Sequence, residues 1–232
     1  MSAPEDARGL LLDYGGVLTT PVGASFSAWE RDHGFEPGEV VRLIRRAYDD
    51  ADGGLIGRLE RGEISTEAFE TALVRIFADQ GREVGGDGSL IDAMFARMQP
   101  AGPLWSVAEQ ARAAGVRVGL LSNSWGLAMY PRRLLDATFD VQVISGEVGM
   151  RKPDPEIYEL AAQRLQLSPE RCVFVDDLDR NVGVAEQLGM FGVVHAGDSA
   201  STVARLRDFL ALELSVDVPA AAPGGSTAGS GG

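Results

Sequence analysis

Four short stretches of this chain carry side chains whose types could do chemistry together. Asp13 ends the apolar run in LLLDYGGVLT and is followed at once by Tyr14, Gly15 and Gly16. Ser122, Asn123 and Ser124 follow a second apolar run, Arg151 and Lys152 lie in a loop beyond a third, and Asp176 and Asp177 close a fourth. If the four runs are parallel strands of one sheet, these residues meet at one edge, because open parallel sheets gather ligands at the C-terminal ends of their strands. A carboxylate, a hydroxyl, an ammonium and an acidic pair suit phosphoryl transfer. Carboxylate oxygens hold Mg2+, lysine and metal neutralise phosphoryl oxygens, and one carboxylate can attack phosphorus. Two adjacent acids after an apolar strand are costly without a cation beside them.

The elements that must position these groups are legible. Gly9 to Leu12, Val116 to Leu121, Val141 to Ile144, Cys172 to Val175 and Phe191 to Val194 read as strands, each leading into turn residues or a helical period. That alternation predicts an α/β fold, a Rossmann-like parallel sheet covered on both faces. Leu104 to Ala114 reads as a helix stopped by Gly115, and Pro155 to Leu165 as one started behind Asp154 as N-cap. Residues 21–100 show helical patterns only, at Ser25 to Asp32, Val40 to Tyr48, Thr66 to Asp79 and Ser89 to Met98. A segment this long is not a loop. It reads as a helical cap inserted after the first strand, with residues 1–20 and 101–215 forming the α/β core. The tail at 216–232 is rich in Gly, Pro and Ser and is expected to be disordered.

Composition narrows the function classes. A formal net charge of −13 repels nucleic-acid backbones and anionic membranes, so small molecules are the expected ligands. An acidic protein that handles phosphate must build a local positive site. The single cysteine, Cys172, excludes an intrachain disulfide framework and a cysteine-based zinc cluster, and reads as core. The polar, acidic start of the chain and the lack of a membrane-length apolar run give a cytoplasmic location as the default. The expected assembly is a monomer or homodimer.

Taken in order, LLLDYGGVL, LLSNS, GMRKPDPEIY and VFVDDLDRN resemble the four motifs of the haloacid dehalogenase-like hydrolase superfamily. The D-x-G-G-V-L form, the segment LERGEIS and the GMRKP loop resemble a branch containing sugar-1-phosphate phosphatases and the phosphatase-like domains of epoxide hydrolases and acyl-CoA dehydrogenases. The resemblance implies that Asp13 is nucleophile and metal ligand, and that Lys152 balances charge in catalysis and binds phosphate. Ser122 and Asn123, the latter through its backbone, would also bind phosphate. Asp177 and the Gly15 carbonyl would ligate Mg2+, with Asp176 and Asn181 supporting it directly or through water. It also implies a cap that selects the substrate, here a small phosphorylated metabolite with a sugar 1-phosphate favoured.

Gly15 departs from the D-x-D form of such phosphatases, in which the second acid protonates the leaving group. A general acid is worth about 10²–10⁴-fold in rate, so its loss needs an account. The leaving group departs unaided, or a cap residue such as Glu60 or Glu63 supplies the proton, or the protein binds phosphate without turning it over. A metal-free 2-haloacid dehalogenase is a further alternative, opposed by the Asp176-Asp177 pair and by Gly15 where that chemistry's pattern has an aromatic. His33 and His195 are isolated and read as structural. Trp29 and Trp105 read as packing, and Trp125, beside the Ser-Asn motif, as core or pocket wall. Asp177, Asp179 and Asn181 imitate the opening of a calcium loop, but Val182 and Leu188 replace its glycine and glutamate.

Overall fold

Apolar residues at consecutive positions make strands that are buried on both faces, and the described residues hold five. In a computed structural model, which describes residues 8–36, 38–46, 54–84 and 88–216, they are β1 (Gly9–Leu12), β2 (Arg117–Ser122), β3 (Val141–Ile144), β4 (Cys172–Asp176) and β5 (Phe191–Val194). All pairings are parallel and the order is β3-β2-β1-β4-β5. Successive residues of β1 serve opposite faces. Leu10 and Leu12 join a core with Val118, Leu120, Val173 and Val175, whereas Leu11 joins Leu121, Val143 and Phe174 on the other side. Register sets the chemistry at the sheet edge. Leu12 pairs with both Leu120 and Val175, and the Asp13 amide donates to the Val175 carbonyl at 2.9 Å, so Asp13 emerges beside Asp176.

Among the described residues, five helices lie between the crossings at Thr19 and Pro100: α1 (Val22–Asp32), α2 (Glu39–Arg46), α3 (Gly54–Glu60), α4 (Thr66–Ala78) and α5 (Leu90–Phe95). They bury their own cluster, including Phe26, Trp29, Ile56, Phe69, Phe77 and Met94. The chain enters and leaves this lobe at one place, where Thr19 and Pro100 form an antiparallel bridge and the Thr20 amide donates to the Gln99 carbonyl. Ser65 and Ser89 cap α4 and α5 through their hydroxyls. Glu30, buried in α1, accepts the amides of Gly38 and Val40 and so serves the start of α2.

The remaining helices are α6 (Leu104–Ala113), α7 (Arg132–Thr138), α8 (Ser145–Val148), α9 (Pro155–Leu165), α10 (Asp179–Gln187) and α11 (Ser199–Leu210). α6 and α11 cover the Leu10 face, and α9 and α10 the Leu11 face. Gly115 follows α6 at φ +88°, as its position predicts. Asp154 stands at the N-cap of α9, but its side chain makes no capping bond there; Pro155, which needs no amide partner, opens the helix instead. α3 is absent from the sequence reading because seven residues with an internal Gly57 give no clear period. Tyr48, residues 85–87 and the tail beyond Val216 fall outside the described residues. Among those described, no helix is long and apolar enough to cross a membrane.

β5 and α10 touch closely at Gly192, where an added Cβ would stand 2.5 Å from Val182 Cγ1 and 2.6 Å from Glu186 Cγ. Gly192→Ala is therefore expected to push α10 outward and destabilise the protein by about 1–3 kcal/mol, read as a lower midpoint in chemical denaturation.

Candidate active site

Lys152 has the chemistry of a charge placed inside a fold. It is 1% exposed, and its ammonium lies 2.7 Å from Asp13 Oδ1 and 2.6 Å from Asp176 Oδ2 and donates to the Leu121 carbonyl at 3.0 Å. Three N–H donors thus meet three acceptors from three neighbouring strand ends. Burial alone would lower its pKa, but the Asp13 and Asp176 carboxylates hold it above the ordinary lysine range. Its backbone is fixed from β2. The Lys152 amide donates to Asn123 Oδ1 at 2.8 Å, and Asn123 Nδ2 donates to the Lys152 carbonyl at 2.9 Å. Asn123 thus spends its side chain on placing the lysine.

Asp13, Asp176 and Asp177 bring carboxylate oxygens within 4.8 Å of one another. Asp176 is fully buried and heavily used: Oδ1 accepts from the Leu178 amide and Asn181 Nδ2, and Oδ2 from Lys152 and Asn181 Nδ2. Asn181 is held in turn, since Tyr158 donates its hydroxyl to the Asn181 carbonyl at 3.0 Å. Three carboxylates share one ammonium, leaving two negative charges in excess. Burial pushes Asp13 up to about 7, opposed by Lys152 and reinforced by Asp176 and Asp177. Burial and the neighbouring Asp176 push Asp177 up to about 6. Hard oxygen donors with an excess charge of two fit a divalent ion such as Mg2+. The backbone leaves Asp177 its room: Gly16 sits at φ +75°, and a Cβ there would come within 2.5 Å of Asp177 Oδ2.

A cavity of about 350 Å3 opens on this cluster and is lined by both lobes, with Asp13, Gly15, Ser122, Asn123, Lys152 and Asp177 among its walls. Ser122 is buried, and its hydroxyl shares a 2.9 Å hydrogen bond with Tyr130. Sequence reasoning missed Tyr130, a lone aromatic in a loop with no motif to mark it. Gly15 has a structural counterpart across the cavity: a Cβ at position 15 would lie 3.0 Å from Val22 Cγ2, so the first residue of α1 stands where an acid's side chain would begin. Of the two cap glutamates, Glu63 is an exposed partner of Arg61, whereas Glu60 is buried in the cavity wall. Glu60 receives Trp125 Nε1 at 3.2 Å on one oxygen and Asn123 Nδ2 at 3.2 Å on the other, and that second oxygen forms an ion pair with Arg151, 2.7 Å from its Nε. Every one of these contacts uses it as an acceptor, so it latches the cap to the lysine loop rather than offering a proton. Trp125 is both pocket wall and core, packing its ring near Phe26, Phe69 and Phe95.

The other residues weighed from the sequence lie elsewhere. His195 bonds Thr202, His33 stacks on Trp29, Trp105 donates to the Leu18 carbonyl, and Cys172 is buried at the start of β4.

The sequence profile of haloacid dehalogenase-like hydrolases matches residues 7–189. The chain belongs to that family. This haloacid dehalogenase-like hydrolase is 32% identical over 222 residues to mouse acyl-CoA dehydrogenase family member 10, a match that takes in 93% of this chain but 20% of that protein. It is 30% identical to a sesquiterpene phosphatase of Aspergillus oryzae, over 66% of this chain and 78% of that one. Among solved structures, a HAD-like hydrolase from Porphyromonas gingivalis superposes with a TM-score of 0.66 at 28% identity, covering 87% of this chain and 98% of the other.

Two outcomes follow from the site. Between the ordinary carboxylate value of 3.8 and about 7, the metal-free folded state holds protons that the unfolded chain has released, so stability falls as pH rises through that window. In EDTA the melting temperature is therefore expected to be lower at pH 8 than at pH 5.5, with a shallower slope in Asp13→Asn. Glu60→Ala strips Arg151 of a buried ionic partner and should cost about 3–5 kcal/mol, seen as a lower melting temperature with altered tryptophan emission.

Proposed function

We propose that this hydrolase is a Mg2+-dependent phosphatase that cleaves a small phosphorylated metabolite through an aspartyl-phosphate on Asp13. The observation that carries this reading is the Lys152 ammonium, buried between Asp13 and Asp176 with Asp177 alongside. The phosphatase name of the Aspergillus relative supports it. Asp13, Asp177 and the Gly15 carbonyl would hold Mg2+, with Asp176 and Asn181 behind them, and the bound ion supplies positive charge to the phosphoryl oxygens.

The chain's own residues account for the rest. Lys152 favours the ionised form of Asp13 against the effect of burial and fixes its Oδ1, so the nucleophile is oriented and a bound cation would complete its ionisation. Asp13 attacks phosphorus in line with the leaving oxygen; the bond from phosphorus to that oxygen breaks, and its electron pair departs with the leaving group. Water then attacks the aspartyl-phosphate, releasing inorganic phosphate and restoring the carboxylate. Lys152 stays protonated throughout, because two carboxylates hold it so, and it faces the transferred group as a fixed charge together with Ser122 and the Asn123 backbone. With no side chain at Gly15, the leaving oxygen must depart without a general acid from that position. That favours weakly basic leaving groups, among them the sugar of a sugar 1-phosphate, a carboxylate or a phenol.

Phosphate release from acetyl phosphate and p-nitrophenyl phosphate tests the proposal. Turnover is expected with Mg2+, is abolished by EDTA, and falls by at least about 10³-fold in folded Asp13→Asn. Turnover that persists in Asp13→Asn would overturn the covalent mechanism.

A further inference from the structure

The cavity has two unlike ends. Its floor holds the acidic cluster, Lys152 and Ser122, whereas the side facing the cap is lined by Val22, Phe26, Phe95, Met98, Trp125 and Met129. Three of those residues are aromatic and packed on one another, with ring centroids 5.1 Å apart for Phe26 and Phe95, 5.9 Å for Phe26 and Trp125, and 5.5 Å for Phe95 and Trp125. The aromatic part of this wall is held by the cap's own core, and Met98 and Met129 pack against the α/β core, so the wall is preformed.

The polar side chains of Trp125, Asn123 and Glu60 in these walls are already engaged, and Tyr14 is a further lining residue. Trp125 gives its indole N–H to Glu60, Asn123 gives its amide to Glu60 and to the Lys152 backbone, and Glu60 also receives Arg151. A sugar ring could stack on Trp125, but its hydroxyls would leave water for a wall whose indole, amide and carboxylate groups are bonded to one another. Burying unpaired hydroxyls is costly. Arg180, the other charged lining residue, belongs to the first turn of α10 beside Asp177 and so to the phosphate end. Where the leaving oxygen would otherwise meet an acid, Val22 adds one more methyl surface.

On the phosphatase reading above, we propose that the leaving group of the natural substrate is apolar and poor in hydroxyls, with aryl phosphates the class that meets both constraints of the site. The phosphoryl group sits on the acidic floor, and the phenol ring lies against Phe95, Trp125 and Met98. A phenolate leaves without a proton donor, and the wall takes a flat ring without asking for hydrogen bonds. The products are a phenol and inorganic phosphate; water supplies the phosphate's new oxygen, with one of its protons kept on phosphate and the other passing to the phenolate.

The test is a series of 4-alkylphenyl phosphates, hydrogen to butyl, in which apolar surface grows while leaving-group acidity stays nearly constant. Acetyl phosphate and glucose 1-phosphate are run beside it with Mg2+. The expected result is a kcat/KM that rises about three- to fourfold per methylene over the first additions, mostly through KM, with every aryl phosphate ahead of glucose 1-phosphate. Met98→Gln, which keeps the side-chain volume, is expected to flatten that rise. A flat or falling series, or glucose 1-phosphate as the better substrate, overturns this inference and leaves the phosphatase reading standing. No phosphate from any compound, acetyl phosphate included, overturns the phosphatase reading and this inference with it.

Discussion

One ammonium group, bonded to two carboxylates and a backbone carbonyl at the edge of a parallel sheet, organises this molecule. Lys152 arrives from the loop after β3, Asp13 from β1, Asp176 from β4 and the Leu121 carbonyl from β2, so four strand ends are tied through a single nitrogen. An isolated charge at this depth would cost far more than any one hydrogen bond returns, and the arrangement holds only because each partner is placed by something else. Parallel register puts Asp13 next to Asp176. Asn123 pins the lysine backbone, and Asn181 and the Leu178 amide satisfy the oxygens of Asp176 that the lysine leaves over. The cluster nonetheless keeps negative charge in excess, and that excess is what fits it to a divalent cation.

The sheet and the four polar clusters were legible in the chain because each rests on local information. An apolar run of four to six residues ending in Asp or Ser reads the same way before and after folding, and the five strands fall within a residue of where their patterns predict. Asp13, Lys152 and Asp176 could be grouped because parallel topology sends all strand ends to one edge. What the sequence concealed depends on distant contacts. Nothing local separates Glu60 from Glu63, three residues apart in the same segment, yet one is buried against Arg151 and the other is exposed beside Arg61. Tyr130 and Val22 matter only through what they face across the cavity. The helix α3 went unread because its seven residues are held by packing, as short helices must be.

Gly15 gains a meaning that composition alone could not give it. Its backbone does not need glycine by virtue of a left-handed φ, as Gly16's does. The space where a side chain would begin is bordered by Val22, so the cap and the first loop are matched to one another: a residue lost from one wall is complemented by an apolar residue on the other. A side chain at position 15 would have to shift a methyl group that stands 3.0 Å from its Cβ.

The paired crossings at Thr19 and Pro100 carry a different consequence, for how such a molecule can change over generations. A lobe that leaves and rejoins the sheet at one bridge can be lengthened, shortened or exchanged without rethreading any strand. Two contacts limit that freedom. Trp125 belongs to the α/β lobe by sequence but is packed among Phe26, Phe69 and Phe95 of the inserted one, and Glu60 of the insertion receives Arg151 and Asn123 from the other side. Any replacement lobe must bring an aromatic slot and a buried carboxylate to those two places. Inheritance can revise the rest of the insertion far more readily than these two joints.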